Sequence, residues 1–367
     1  MSSSSHDIYE TLRGILTERK SNEAFEIEIV SPELGPLVRD GSCIGISKKA
    51  LAKAFITARR RFTEYLIQRS QTPTTLSAEE KDQDLAAATE IILLFDCEHV
   101  TACNWRKRLI SSASKQECAT IEGNLERERS LMTTFLCSPL HRHTKSPTLW
   151  QHRLWILTEL LKLKAQQQGA TSSCETSNDF LREIFFEEFD VVCKAGQLHP
   201  RNYYAFGYMR QVHALMIAQP ASSSTKDESS GMLTGSSALS LELALVMIEP
   251  MLKWCLSNPS DISGWMYLFY LLDYGDDDNA LIRNGNFNTK RKLVMDRTLH
   301  FSGITTWEGE SLWTFVDLML ERFGDSVLPE QATSDDSYTG IPSKRDDLPA
   351  ARWQKTMNRI KKDYSGK

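Results

Sequence analysis

Long apolar runs are missing from this chain. No stretch approaches the roughly 20 residues needed to span a bilayer. The opening MSSSSHDIYE lacks the basic and apolar segments of a signal peptide. The closing Tyr364-Ser365-Gly366-Lys367 is no prenylation box. A cytoplasmic location is therefore expected. None of the 8 cysteines forms a CxxC pair: Cys43 stands alone near the start, and Cys97, Cys103, Cys118, Cys137, Cys174, Cys193 and Cys255 are scattered. With no secretory signal they read as reduced, mostly buried thiols. A Gly-rich phosphate loop and a GxSxG elbow are absent, so nucleotide cradling and serine hydrolase chemistry have no sequence support. Cys97, His99 and Cys103, or Cys137, His141 and His143, lack the paired spacing of a zinc site. Asp276-Asp277-Asp278 has no second carboxylate set at helical spacing and reads as a solvated loop. The excess of one charge is small: a net charge of -5 gives no reason to expect nucleic acid as the main partner.

What remains is a soluble globular composition, 41% hydrophobic and 25% charged over 367 residues. That length suits one large domain or two ordinary ones. Phe25 to Ile29 alternates strictly and predicts a short strand, and Ser31 to Pro36 is loop chemistry. From Ser47, a candidate N-cap, the period becomes helical. Leu51, Phe55, Ala58, Phe62, Tyr65 and Arg69 share a face, with Lys48, Lys49, Lys53, Arg59, Arg60 and Arg61 around it. Further helices are expected over Leu85–Phe95, Thr101–Ser111, Thr148–Lys164, Phe180–Lys194, Asn202–Ala218, Leu239–Cys255, Ser263–Leu272, Lys290–Leu299 and Ser311–Phe323. Pro250 is expected to kink or break the helix around it. The fold class is all-α.

Two segments share a frame, SPTLWQHRLWIL (Ser146 to Leu157) and HPRNYYAFGYMRQV (His199 to Val212). Each sets an aromatic, Trp150 or Phe206, between a polar stretch and an apolar helical run. Weaker copies centre on Cys103 and Trp265. The four positions are 47, 56 and 59 residues apart. Subtracting the polar insertions at 166–178 and 219–237 leaves roughly 40 to 45, the period of helix-pair repeats. The expected organisation is an N-terminal extension (1–46), a helical-hairpin repeat domain (47–325), and a linker with a basic C-terminal helix (326–367). In that tail Trp353, Met357 and Ile360 share one side; a terminal helix that packs back on the array or frays is its simplest reading, with a membrane-surface or partner-docking role the alternative. An array of helix pairs builds a surface for another polypeptide more naturally than a pocket.

The blocks resemble the protein prenyltransferase α-subunit repeat, Asn-Tyr-x-x-Trp-x-x-Arg. Trp150 and Arg153 supply the Trp-x-x-Arg half. Asn202, Tyr203 and Phe206 supply the first half with Phe for Trp, and Met209 holds the arginine position with Arg210 one residue late. Cys103 replaces the tryptophan while Arg106 is kept; Trp265 is kept while Leu268 replaces the arginine. The degraded copies look most like the divergent repeat-containing branch of the family. The resemblance implies an α-α superhelix, a right-handed solenoid of helical hairpins, embracing a prenyltransferase β subunit that carries the catalytic zinc, with no cofactor bound by this chain. It implies transfer of a farnesyl or geranylgeranyl group from a prenyl diphosphate shared with the partner to a cysteine of a protein substrate. Arg201 and Tyr203 would stand near the diphosphate. Cys103, Arg106, Trp150, Arg153, Asn202, Phe206 and Trp265 are structural in this reading. The aromatic buries apolar area worth about 2 to 3 kcal/mol, and the arginine bonds carbonyls or carboxylates at a repeat junction. A non-catalytic helical-repeat adaptor is the alternative.

Overall fold

The computed structural model describes residues 3–20, 23–68, 78–112, 118–140, 142–168, 174–217, 235–274 and 281–328. The third polar insertion (330–347), the basic tail with Trp353, and Asp276 to Asp278 lie outside the described residues, as do Arg69 and His141. Among the described residues there are twelve α-helices and one three-stranded sheet. The helices are α1 (Ser3–Thr17), α2 (Lys48–Gln68), α3 (Ala78–Phe95), α4 (Val100–Ser112), α5 (Cys118–Leu136), α6 (Pro147–Gln168), α7 (Cys174–Leu198), α8 (Tyr203–Ile217), α9 (Gly235–Ser257), α10 (Ile262–Asp273), α11 (Leu281–Thr305) and α12 (Glu310–Phe323). The chain is all-α in class and built from helical hairpins. Two compact units divide it, Met1–Leu215 and Met216–Lys367.

The first unit holds the hairpins α3–α4, α5–α6 and α7–α8, with α1, α2 and the sheet packed ahead of them. Ser47 caps α2 as the sequence predicts, its Oγ accepting from the amide of Ala50 at 3.4 Å. The sheet is larger than the single strand expected. Its strands are β1 (Glu26–Val30), β2 (Leu37–Asp40) and β3 (Cys43–Ser47), and β3 runs parallel to β1 and antiparallel to β2. Pro32 to Leu34, expected as loop, is a short 3-10 turn capped by Ser31. The outer edge of β1 is closed by α5, a helix whose charged surface hides it from periodicity. Thr134 Oγ1 accepts from the amide of Phe25 at 3.0 Å, and Ser138 Oγ from that of Ile27 at 2.9 Å. Ser130 donates to the carbonyl of Glu23. Ser130 and Thr134, four apart, share one face of α5, Ser138 follows just past its end, and together the three hydroxyls replace the missing strand partner.

The second unit contains α9–α10 and α11–α12. Helix α9 runs unbroken through Pro250. The carbonyl that loses its donor there belongs to Val246, itself 47% exposed, so water can replace the missing bond. The insertions are shorter than expected: α6 reaches Gln168, α7 begins at Cys174, and α9 begins at Gly235.

Candidate functional site

Each hairpin's second helix starts in the same way. A cap stands four residues before the motif position: His99, Ser146, Asn202, Asp261 and Gly309 precede Cys103, Trp150, Phe206, Trp265 and Trp313. His99 Nδ1, Ser146 Oγ and Asn202 Oδ1 each accept the amide of the residue three on, at 3.1 Å. Asp261 accepts from the amides of Ser263 and Gly264. Only Gly309 makes no side-chain cap. These bonds satisfy orphan amides of the first turn.

The indoles repeat a second contact. Trp150 Nε1 donates to the carbonyl of Thr144 at 2.8 Å, and Trp265 Nε1 to that of Pro259 at 3.0 Å. Trp313 Nε1 donates to the carbonyl of Trp307 at 2.9 Å. Each acceptor lies six residues back. Trp313 thus reveals a fifth copy of the repeat, which the sequence reading missed. Trp150, Trp265 and Trp313 are fully buried, and Phe206 and Cys103 nearly so. Trp150 meets Tyr208 of the next hairpin with centroids 5.0 Å apart, and Trp265 meets Phe315 at 4.9 Å. Tyr208 and Phe315 hold the same place, two residues past the motif position. The cap side chains also tie hairpins together. Ser146 Oγ donates to the carbonyl of Cys97 at 3.1 Å, and Asn202 Nδ2 to that of Thr144 at 2.6 Å.

The arginines complete the junction. Arg106 forks onto Glu128 of α5 through Nε (2.8 Å) and Nη2 (2.5 Å), and its Nη1 reaches back to the carbonyl of Ala86 and to Thr89 on α3. Arg153 repeats this one hairpin on. It forks onto Glu188 of α7 at 2.6 and 2.9 Å, while its Nη1 bonds the carbonyl of Arg129 and Thr133 on α5. Each carboxylate is held from its own hairpin too. His152 Nε2 lies 2.7 Å from Glu128 Oε1, and Tyr208 Oη donates to Glu188 Oε2 at 2.6 Å. Burial alone would raise the two carboxyls. The facing arginine charge and its hydrogen bonds outweigh burial and hold both below the usual carboxylate range. Sequence reasoning missed Glu128 and Glu188. The signal available was an acidic residue inside each helix that follows an intact Trp-x-x-Arg or its Cys-x-x-Arg variant.

Where the arginine is absent, an apolar side chain fills the place. Met209 and Leu268 are completely buried. Arg210, one residue late, is exposed and does not take that position.

Arg201 and Tyr203 flank the Asn202 cap at the mouth of α8. Both are exposed, Tyr203 by 60%, and Tyr204 beside it by 52%. Arg201 has φ 62°, the left-handed region that a non-glycine residue seldom adopts. Lys145, one hairpin earlier at the position equivalent to Arg201, donates to the carbonyl of Pro200 at 2.8 Å. Buried Asn202 therefore anchors a short exposed ledge of a guanidinium and two phenols.

The thiols and histidines weighed as metal ligands are engaged otherwise. His99 caps α4, and His143 Nε2 lies 2.9 Å from the carbonyl of Leu93. Cys137 Sγ contacts the carbonyl of Val191. Burial pushes the Cys103 thiol up to about 12, with Glu128 adding repulsion, so it stays protonated. Among the described residues no three His, Cys, Asp or Glu side chains group as a metal site. No described helix is long and apolar enough to cross a membrane.

Stacked hairpins with wedged indoles and forked arginines define a helical-repeat protein of the α-α class. Residues 248–275, spanning the end of α9 and all of α10, match the family described as protein prenyltransferase alpha subunit repeat. That segment of the chain carries the repeat, and the chain is similar to divergent repeat-containing proteins. It is 23% identical over 265 residues to the protein prenyltransferase alpha subunit repeat-containing protein 1-B of Xenopus laevis, covering 70% of this chain and 52% of that protein. The 1-A protein of the same frog is 26% identical over 191 residues, 52% of this chain and 37% of that protein. The repeat-containing protein 1 of Danio rerio is 32% identical over 127 residues, 34% of this chain and 27% of that protein. The chain thus spans about half or less of the curated relatives it matches.

Proposed function

We propose that this chain is the α subunit of a heterodimeric protein prenyltransferase acting in the cytoplasm. The partner β subunit would hold the catalytic zinc, which activates the acceptor thiol, and most of the lipid site. The reaction breaks the C1–O bond of a farnesyl or geranylgeranyl diphosphate and forms a C1–S bond to a protein cysteine. The thiol proton is lost and diphosphate leaves. On this chain the work falls to Arg201 and Tyr203. As the bond to oxygen breaks, negative charge grows on the diphosphate, and a guanidinium and a phenol donor beside it lower the barrier.

The observation that carries this reading is the ledge at the start of α8. Asn202 is buried and bonded to two elements, while its neighbours Arg201 and Tyr203 face outward. A residue needed only for packing has no reason to sit 60% exposed beside so fixed a cap. The family's repeat and its named relatives support the α-subunit assignment; the acceptor cysteine and the β subunit are part of the proposal. Co-expression with candidate β subunits tests it. A stable one-to-one complex that transfers a prenyl group to a protein cysteine and loses activity on chelation is expected. Failure to pair with any of them leaves the non-catalytic adaptor as the correct reading.

A further inference from the structure

Helix α2 has two working faces. Its inner face, with Ala54, Ala58 and Phe62, is buried and packs on α1 and α3. At 100° per residue the opposite side presents Lys48, Lys49, Lys53, Arg59 and Arg60. Lys48, Lys49, Arg59 and Arg60 are exposed. Between the two lines of cations run Ile56, 67% exposed, and Ile67, 56% exposed, with Leu66 at 40% on one flank. The Phe55–Phe95 stack, centroids 4.2 Å apart and Phe95 41% exposed, broadens the strip on the same flank. Glu64 is the single carboxylate of α2 itself and lies 3.9 Å from Arg60. Five cations against one anion run counter to a chain of net charge -5.

We infer that this face of α2 docks on an anionic phospholipid surface. Charge complementarity selects an anionic occupant. The layout selects a bilayer over an acidic protein. Ile56 and Ile67 stand among cations, and Leu66 with the Phe55–Phe95 stack forms a narrow flank, so apolar and charged side chains are interleaved along one helix in place of the apolar core and polar rim of a protein interface. A bilayer takes such side chains one at a time. The lysine and arginine stems then reach back up to the headgroup phosphates. The inference is independent of the α8 ledge and of any β subunit.

The test is sedimentation of the full chain with phosphatidylcholine vesicles and with vesicles of phosphatidylcholine mixed with phosphatidylserine. Binding to the mixed vesicles alone is expected, weakening as salt rises. Each lost cation should weaken partition about fivefold, so Arg59→Glu combined with Arg60→Glu should reduce it by at least about 25-fold. Ile56→Ser with Ile67→Ser should lower it while the salt dependence persists. Circular dichroism serves as the folding control, and exposed substitutions of this kind leave the helix intact. Equal binding to both vesicle types, no binding to either, or binding unchanged by the charge reversals overturns the inference. So does loss of capture by an acidic polypeptide in the reversed variant while vesicle binding stays intact.

Discussion

Removing the Arg153 guanidinium should cost far more than removing Arg153 and Glu188 together. In Arg153→Met, Glu188 stays fully buried and loses the bidentate pair at 2.6 and 2.9 Å. It keeps Tyr208 at 2.6 Å and a long contact to Arg129 at 3.4 Å. The carbonyl of Arg129 and Thr133 Oγ1 also lose their donor. Breaking one side of a buried pair typically costs about 3 to 5 kcal/mol, and the surviving Tyr208 and Arg129 contacts place this case near the lower end. In Glu188→Met the stranded charge is Arg153, which keeps two neutral acceptors, so a similar loss is expected. The double variant leaves Arg129 as the one charge at this junction, still paired with Glu126 and Glu187, and should lose about 1 to 2 kcal/mol, well below the sum of the two single losses because the neighbours are coupled. Because the chain has two units, unfolding need not be two-state. Urea-dependent hydrogen exchange of α6 and α7 is therefore the better assay, since it reports the first unit alone. If the double variant loses the sum of the two single losses, the shared-carboxylate account of the junction is wrong.

Gly264→Ala should destabilise the second unit by about 1 to 3 kcal/mol, because the new Cβ would stand 2.3 Å from a ring carbon of buried Trp254. Gly207→Ala in α8 meets nothing within 4 Å and should be neutral or gain up to about 1 kcal/mol; thermal melts of the pair check both signs. His143 is pushed down to about 4 by burial, against a partly opposing bond to the carbonyl of Leu93. Its folded pKa lies below the unfolded one, so its contribution is complete above about pH 6.5 and is lost as pH falls toward 4. That is about 3 kcal/mol over the window. His143→Gln, which can still donate to Leu93, should flatten that slope in urea titrations run across the window, and an unchanged slope would remove His143 as its source. Tyr203→Phe in the purified heterodimer should slow prenyl transfer about 100-fold with assembly intact, whereas unchanged turnover would take the phenol out of the mechanism.

The helices with aromatic stripes were legible because burial leaves a simple apolar period. Helices α1 and α5 were not. In α5 the sequence IEGNLERERSLMTTFL looks solvated, yet Glu128 is a buried junction carboxylate, and Ser130 and Thr134, with Ser138 just past the helix end, bond the chain along the β1 edge. Polar residues spent on internal partners break the hydrophobic period, so no periodicity count finds such a helix. Trp313 escaped for a related reason. Its cap is Gly309 and its arginine place holds Val316, so only the indole bond to a carbonyl six residues back reveals the frame. Strands β2 and β3 lay behind Pro32, Gly35 and Pro36, whose turn chemistry masked the short ladders that follow. The arginine's destination was expected in kind, carbonyl or carboxylate. Its partner could not be named, because a contact spanning 35 residues of sequence leaves no local trace.

The way Glu128 and Glu188 are held bears on how such an array can change over time. Each acid answers to two owners, an arginine from the hairpin before and a histidine or tyrosine from its own. Excising α3–α4 would strand Glu128, and excising α7–α8 would strand Arg153; excising α5–α6 removes one acid and one guanidinium together and leaves Arg106 and Glu188 as a matched pair. Lengthening a connection, as between α6 and α7 or α8 and α9, touches neither owner. The shared junction thus tolerates longer links, and loss of a whole internal hairpin, better than loss of a hairpin at either end of the first unit.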